Sequence, residues 1–183
     1  MKIDINQHKI SFGDKYEIYI NDQPVYKAAI EWFKLLSVID LFEPATGELK
    51  MKIRRKWAWW GAKYHLERPD GRVYEFKTTS VWKIIYQCVV EADLYEIYGH
   101  RGRKHSIFKN GQQIAYWDKE LVTWFEGDNY TMLANNNVDE VLVISFCLAI
   151  DNYAYKNHDS DVSVDYGNLG FRSVKFDKSW QPR

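Results

Sequence analysis

Cysteine is nearly absent: Cys88 and Cys147 are the only two in 183 residues, and each lies inside an apolar run. Such residues are expected to stay reduced and to pack as small hydrophobes rather than to staple the chain. Proline is as scarce, with 4, and glycine contributes only 10. No linker or low-complexity stretch divides residues 1–157. Charge of one sign is missing too, since 25 basic residues meet 25 acidic ones. A whole-protein attraction to nucleic acid is therefore not expected, and any pull on an anion has to come from a local patch. The start, "MKIDINQHKISFGD", has no apolar h-region of a signal peptide. Cytoplasmic location is the resulting expectation. The sequon Asn129-Tyr130-Thr131 would matter only on secretion.

Catalytic signatures are missing as well. His8, His65, His100, His105 and His158 form no His-x-x-x-His pair, and there is no P-loop, Gly-x-Ser-x-Gly or Gly-x-Gly-x-x-Gly. No catalytic residue, metal or cofactor is expected. Asp159, Asp161 and Asp165 are evenly spaced, but they lack the glycine and terminal glutamate of an EF-hand loop. They read as a solvated acidic face.

What is present is aromatic. Trp 8, Tyr 13 and Phe 9 make up 16% of the chain, and the apolar fraction of 46% supports a packed core. Aromatic and β-branched residues suit pleated surfaces. Turn signals recur between alternating runs: Asn21-Asp22-Gln23-Pro24, Pro44 to Gly47, Pro69-Asp70-Gly71 and Asn110-Gly111. About a dozen short strands result, the spacing of a sandwich or barrel. "LVTWFEG" at 121–127 is counted among them, and "YEIY" occurs twice, at Tyr16–Tyr19 and Tyr95–Tyr98.

One apolar run interrupts this pattern: "VLVISFCLAI", Val141 to Ile150. It has half the roughly 20 residues of a membrane-spanning helix, and its neighbours Asp139, Glu140 and Asp151 are acidic. A helix over 138–151 is predicted, with Asn137 as N-cap and Glu140 closing a capping box. Both faces of such a helix are apolar, so protein has to surround it on all sides. A central β-strand is the alternative, because valine and isoleucine favour strands.

The order of these features resembles the LURP-one-related family, within the tubby C-terminal-like superfamily that also includes the phospholipid scramblases. The likeness is carried by "YEIYINDQPVYKA", "IDLFEPATGELKMKIRRKW", "YEIYGHRGRKHSIFKNGQQIAYWDK" and "DNYTMLANNNVDEVLVISFCLAIDNY", in that order over about residues 10–155. The resemblance implies a mainly β protein: a closed antiparallel barrel of about twelve strands enclosing one hydrophobic helix near the C-terminus. Residues 1–157 would form that domain, and 158–183 a C-terminal extension. Members differ in role, so the resemblance speaks to fold more than to function. With only a short, acid-flanked apolar run, the chain is expected to be soluble and not to translocate lipid.

A binding surface is suggested by charge segregation. Lys50, Lys52, Arg54 and Lys56 alternate with Leu49, Met51 and Ile53, which puts the cations on one face of a strand. Arg55 and Lys63 lie close by, and Arg101, Arg103 and Lys104 form a second cluster. Trp57, Trp59 and Trp60 follow the first cluster directly. One reading is contact with anionic phospholipid head groups, with the tryptophans at the lipid interface. The other is that the cations solvate an outer strand face while the tryptophans fill the barrel wall. A non-enzymatic module acting on a phospholipid surface or a protein partner is the leading expectation. An enzyme or small-molecule binder is the alternative, with a pocket at a barrel mouth and His65, His100 or His105 as polar groups.

Overall fold

The computed structural model describes residues 1–8, 15–31, 36–81, 84–100, 104–118, 129–158, 174–177 and 179–183. Its strands are β1 (Lys2–His8), β2 (Lys15–Ile20), β3 (Gln23–Glu31), β4 (Val38–Phe42), β5 (Leu49–Arg55) and β6 (Lys63–Glu67). They continue as β7 (Val73–Ser80), β8 (Ile85–Val90), β9 (Asp93–Gly99), β10 (His105–Lys109), β11 (Gln112–Asp118) and β12 (Asn129–Ala134). Each strand pairs antiparallel with its sequence neighbours, and β1 closes the ring on β12 through Ile3↔Met132 and Ile5↔Tyr130. Closure leaves no exposed sheet edge, and the period-2 alternation points one row of side chains inward. Ile3, Ile5, Ile18, Leu41, Met51, Ile53, Tyr64, Phe76 and Ile97 all face the interior and are buried. The two YEIY copies play the same part on β2 and β9, each burying its first tyrosine and its isoleucine.

Local chemistry sets the hairpins. Asn21 and Asp22 both have positive φ (49° and 66°), as do Asn110 and Gly111 (51° and 79°), the geometry of a two-residue turn that matches strand twist. The first turn is therefore shorter than the sequence implied. Pro24 already belongs to β3, at a register shift beside Ile18 and Tyr19, where its missing N–H is tolerated. Further shifts in β4–β5, β7–β8 and β10–β11 add the local bending that closure needs. The proposed strand at 121–127 lies outside the described residues.

Through the barrel runs one helix, α1 (Glu140–His158). Every residue from Val141 to Asn152 is buried, so the run is neither a strand nor a surface helix. Phe146 stacks on Phe76 at 5.5 Å and meets Tyr95 at 5.7 Å, which ties the helix to β7 and β9. Two details differ from expectation. The cap is Asp139, not Asn137: Leu142 N–H donates to Asp139 Oδ1 at 3.0 Å, and Glu140 instead accepts from the Tyr26 hydroxyl at 3.1 Å. Arg68 pairs with the same aspartate, which favours it over the neighbouring asparagines. The helix also continues beyond 151 to His158. Asp151 and Asn152 look like a stop, yet both are buried and satisfied by strands remote in sequence. Asp151 accepts from the Tyr16 and Tyr130 hydroxyls, while Asn152 Oδ1 accepts from Ser37 at 2.7 Å and Tyr64 at 2.9 Å.

Both cysteines face the interior without a disulfide. Burial pushes the Cys88 thiol up to about 12 and the Cys147 thiol well above its ordinary range. Thiolate, the reactive form, is then scarce at pH 8. Neither cysteine should react with a thiol reagent in the native protein, whereas both should react in guanidinium. Rapid labelling of either in the folded state would contradict their placement.

After the helix, the described tail residues return along the outside of the barrel. Phe176 contacts His100 and Tyr116, Trp180 contacts Tyr116, and Arg183 N–H donates to Asn135.

Candidate functional site: the two ends of the barrel

Chain direction sorts the loops onto two ends. The short hairpins and the start of α1 share one end. The 56–62 loop, His100, Lys104 and the outgoing half of α1 share the other.

At the outgoing end, β5 finishes with Arg54 and Arg55, and the chain leaves the wall as Lys56-Trp57-Ala58-Trp59-Trp60. The three tryptophans are 63%, 86% and 59% exposed, so they do not fill the wall. Trp57 and Trp59 meet edge to face at 4.6 Å. A firm hinge holds the loop: Gly61 has φ +69°, and a Cβ there would lie 2.6 Å from Thr78 Cβ. Ala62 N–H donates to Thr78 Oγ1 at 2.7 Å, and Thr78 N–H donates back to the Ala62 carbonyl at 2.8 Å. A large exposed apolar group held on an ordered loop is unusual for a wall with no partner.

The cations around this loop are unevenly matched. As the alternation predicts, Met51 and Ile53 point inward while Lys50, Lys52 and Arg54 point outward. Acids on adjacent elements meet each of the three: Lys50 with Glu48 at 2.8 Å, Lys52 with Asp40 at 3.3 Å, and Arg54 with Glu67 at 3.0 Å. The Arg54 guanidinium holds the Glu67 carboxyl below its usual range. Lys50 also sits toward the hairpin end, away from the tryptophans. Closer to the loop the balance tips positive. Among the described residues Arg55 and Lys56 make no ion pair, and Arg55 instead lies over the Tyr153 ring at 5.9 Å. Lys63 and Lys77 share one carboxylate, Glu75, at 2.9 Å each. His65 is shifted down by burial and by Lys56, which keeps it neutral near pH 7.

Of the second basic cluster, Arg101 and Arg103 lie outside the described residues. Lys104 is drawn down onto Asp118 at 2.8 Å and over the Phe176 ring at 5.8 Å. His100 and His105 are buried, the first against Ser106 and the second stacked on Trp117 at 4.6 Å. Asp159, Asp161 and Asp165 lie outside the described residues. The sequon Asn129 is buried in β12.

The hairpin end holds a different feature, a cleft of about 620 Å³ beside the start of α1. Arg68, Arg72, Tyr74, Lys109 and Asp139 are among its lining groups. None of His65, His100 or His105 lines it. No local stretch of the chain signals it, because Arg68 follows β6, Tyr74 lies on β7 and Asp139 caps the helix.

A closed twelve-stranded antiparallel barrel threaded by an apolar helix is consistent with the tubby-like class, and no helix among the described residues is long and apolar enough to cross a membrane. The chain belongs to the LURP-one-related family, whose model matches residues 1–151. No curated protein and no solved structure matches it.

Proposed function

We propose that this chain is a non-enzymatic module that docks on anionic phospholipid surfaces, tryptophan end first. The observation that carries this reading is the cluster of three exposed tryptophans on one ordered loop beside a local excess of cations. Tryptophan suits the membrane interface, and each lysine or arginine near an anionic surface adds about 1 kcal/mol. Arg55 and Lys56 supply that attraction first, with the Lys63–Glu75–Lys77 group adding a net positive charge. Lys50, Lys52 and Arg54 act at longer range, because exposed pairs of this kind are worth only about 0–1 kcal/mol and exchange partners readily. Lys104 adds to the same end. Since anionic lipid is concentrated in the cytoplasmic leaflet, the proposed working location is the cytosolic face of a membrane.

Flotation with vesicles of phosphatidylserine and phosphatidylcholine, against phosphatidylcholine alone, tests this. The protein should float with the anionic vesicles only, and less at high salt, because screening shortens the reach of exposed charge. Equal and negligible flotation with both compositions would remove the lipid reading.

A further inference from the structure

The outer wall of the barrel changes character around its circumference. β5 to β7 turn Lys52, Arg54, Glu67, Glu75 and Lys77 outward. β9 to β12 instead line up Tyr98, Ser106, Tyr116 and Leu133 in one cross-strand row. The alternation puts them outside, since their neighbours Ile97, Ile107, Trp117 and Met132 are buried in the interior. A row of rings on an outer wall marks an interaction surface.

The chain's own tail lies on this row. Phe176 and Trp180 both meet the Tyr116 ring nearly at right angles, at 5.3 and 5.8 Å. Aromatic pairs favour that geometry. Phe176 also touches the His100 ring at 5.2 Å and lies under Lys104 Nζ at 5.8 Å. His100 in turn meets Ser106 at 2.9 Å, and Ser106 is only 1% exposed although it points outward. The far end of the tail is held by Asn136 N–H, which donates to the Arg183 carbonyl at 3.0 Å, and by Arg183 N–H, which donates to Asn135 Oδ1 at 2.8 Å.

These are the contacts of a bound peptide, not of an added strand. β1 and β12 close the barrel without the tail, so no sheet edge is left for it to join. The described tail residues form no strand, and none of them belongs to the buried core. They also lie beyond the stretch that the family model matches.

We infer that the outer face of β9 to β12 is a peptide-docking groove for a protein segment with two aromatic rings four residues apart, and that residues 174–183 are a strap that fills it until such a segment displaces them. The groove lies on the barrel wall and not on the tryptophan loop, so the inference does not depend on membrane docking.

The test uses the full chain carrying Phe176→Ala and Trp180→Ala, which opens the groove, and a labelled synthetic peptide of residues 174–183 followed by fluorescence anisotropy. The peptide should bind the double variant saturably, with Kd of about 0.1 mM or tighter. A tethered ligand reaches an effective concentration of roughly 1 mM, so the wild type, its groove already filled, should bind the peptide about tenfold more weakly. Adding Tyr116→Ala to the double variant should weaken binding about tenfold or more, because both rings rest on Tyr116. A peptide with both rings replaced by alanine should not bind. No binding to the double variant, equal binding to it and to the wild type, or indifference to Tyr116→Ala would overturn the inference. So would a double variant that fails to fold, since the tail would then be part of the core instead of a strap.

Discussion

Phe146→Asp is expected to abolish the folded state, and Phe146→Ala to leave it folded but weakened by about 3–5 kcal/mol. Phe146 sits at mid-helix with no exposure and with Phe76 and Tyr95 against it. Alanine there loses the ring's burial and leaves a cavity that two aromatic neighbours on separate strands cannot close. Aspartate in addition buries a carboxylate among aromatic rings, a cost of several kcal/mol against a total stability of about 5–15 kcal/mol. For a chain of this length each kcal/mol moves the melting temperature by roughly 2–4 °C, so the alanine variant should melt about 6–20 °C lower. Near-ultraviolet circular dichroism and thermal melts check both. A Phe146→Asp protein with native melting would mean that the helix is not the core of the barrel.

The second large effect concerns function. Replacing Trp57, Trp59 and Trp60 together by alanine should lower affinity for anionic vesicles about 100-fold or more while leaving the melt unchanged. Full burial of a large apolar side chain is worth about 1.5–3 kcal/mol, and 1.4 kcal/mol is a factor of ten. Three side chains that insert only in part still exceed two decades. The fold should be indifferent, because all three rings already stand in solvent and the loop is held by Gly61 and Ala62 against Thr78. Lys56→Glu should act in the same direction by charge alone, and its effect should shrink as salt rises. Wild-type vesicle affinity in the triple variant would assign the tryptophans to some other role.

These residues also show what could be read from sequence. The apolar run at Val141–Ile150 was legible because a helix without a wet face has to be enclosed, and the Asn110-Gly111 turn because of its positive-φ preference. The ends of the helix were less so. Asn135, Asn136, Asn137 and Asp139 are all capable caps, and the choice rests on Arg68, 71 residues away. Asp151 and Asn152 read as a terminus because their partners, Tyr16, Tyr130, Ser37 and Tyr64, arrive from other strands. For the tryptophans the sequence left wall and interface open, and the 56–62 excursion takes them out of the wall. The alternation of Lys50, Lys52 and Arg54 was correct, but not the acids facing them, since cross-strand partners depend on register. The cleft groups converge from three elements and leave no mark on any local stretch.

The central claim is that the tryptophan end of the barrel faces the bilayer. Fluorescence quenching by phospholipids brominated along the acyl chain tests it most directly, comparing the wild type with a variant carrying phenylalanine at Trp57, Trp59 and Trp60. In anionic vesicles the difference between the two signals should shift to the blue and be quenched by bromine near the head groups. If the protein binds those vesicles while the difference signal keeps its aqueous wavelength and escapes quenching, another surface makes the contact and the account is wrong.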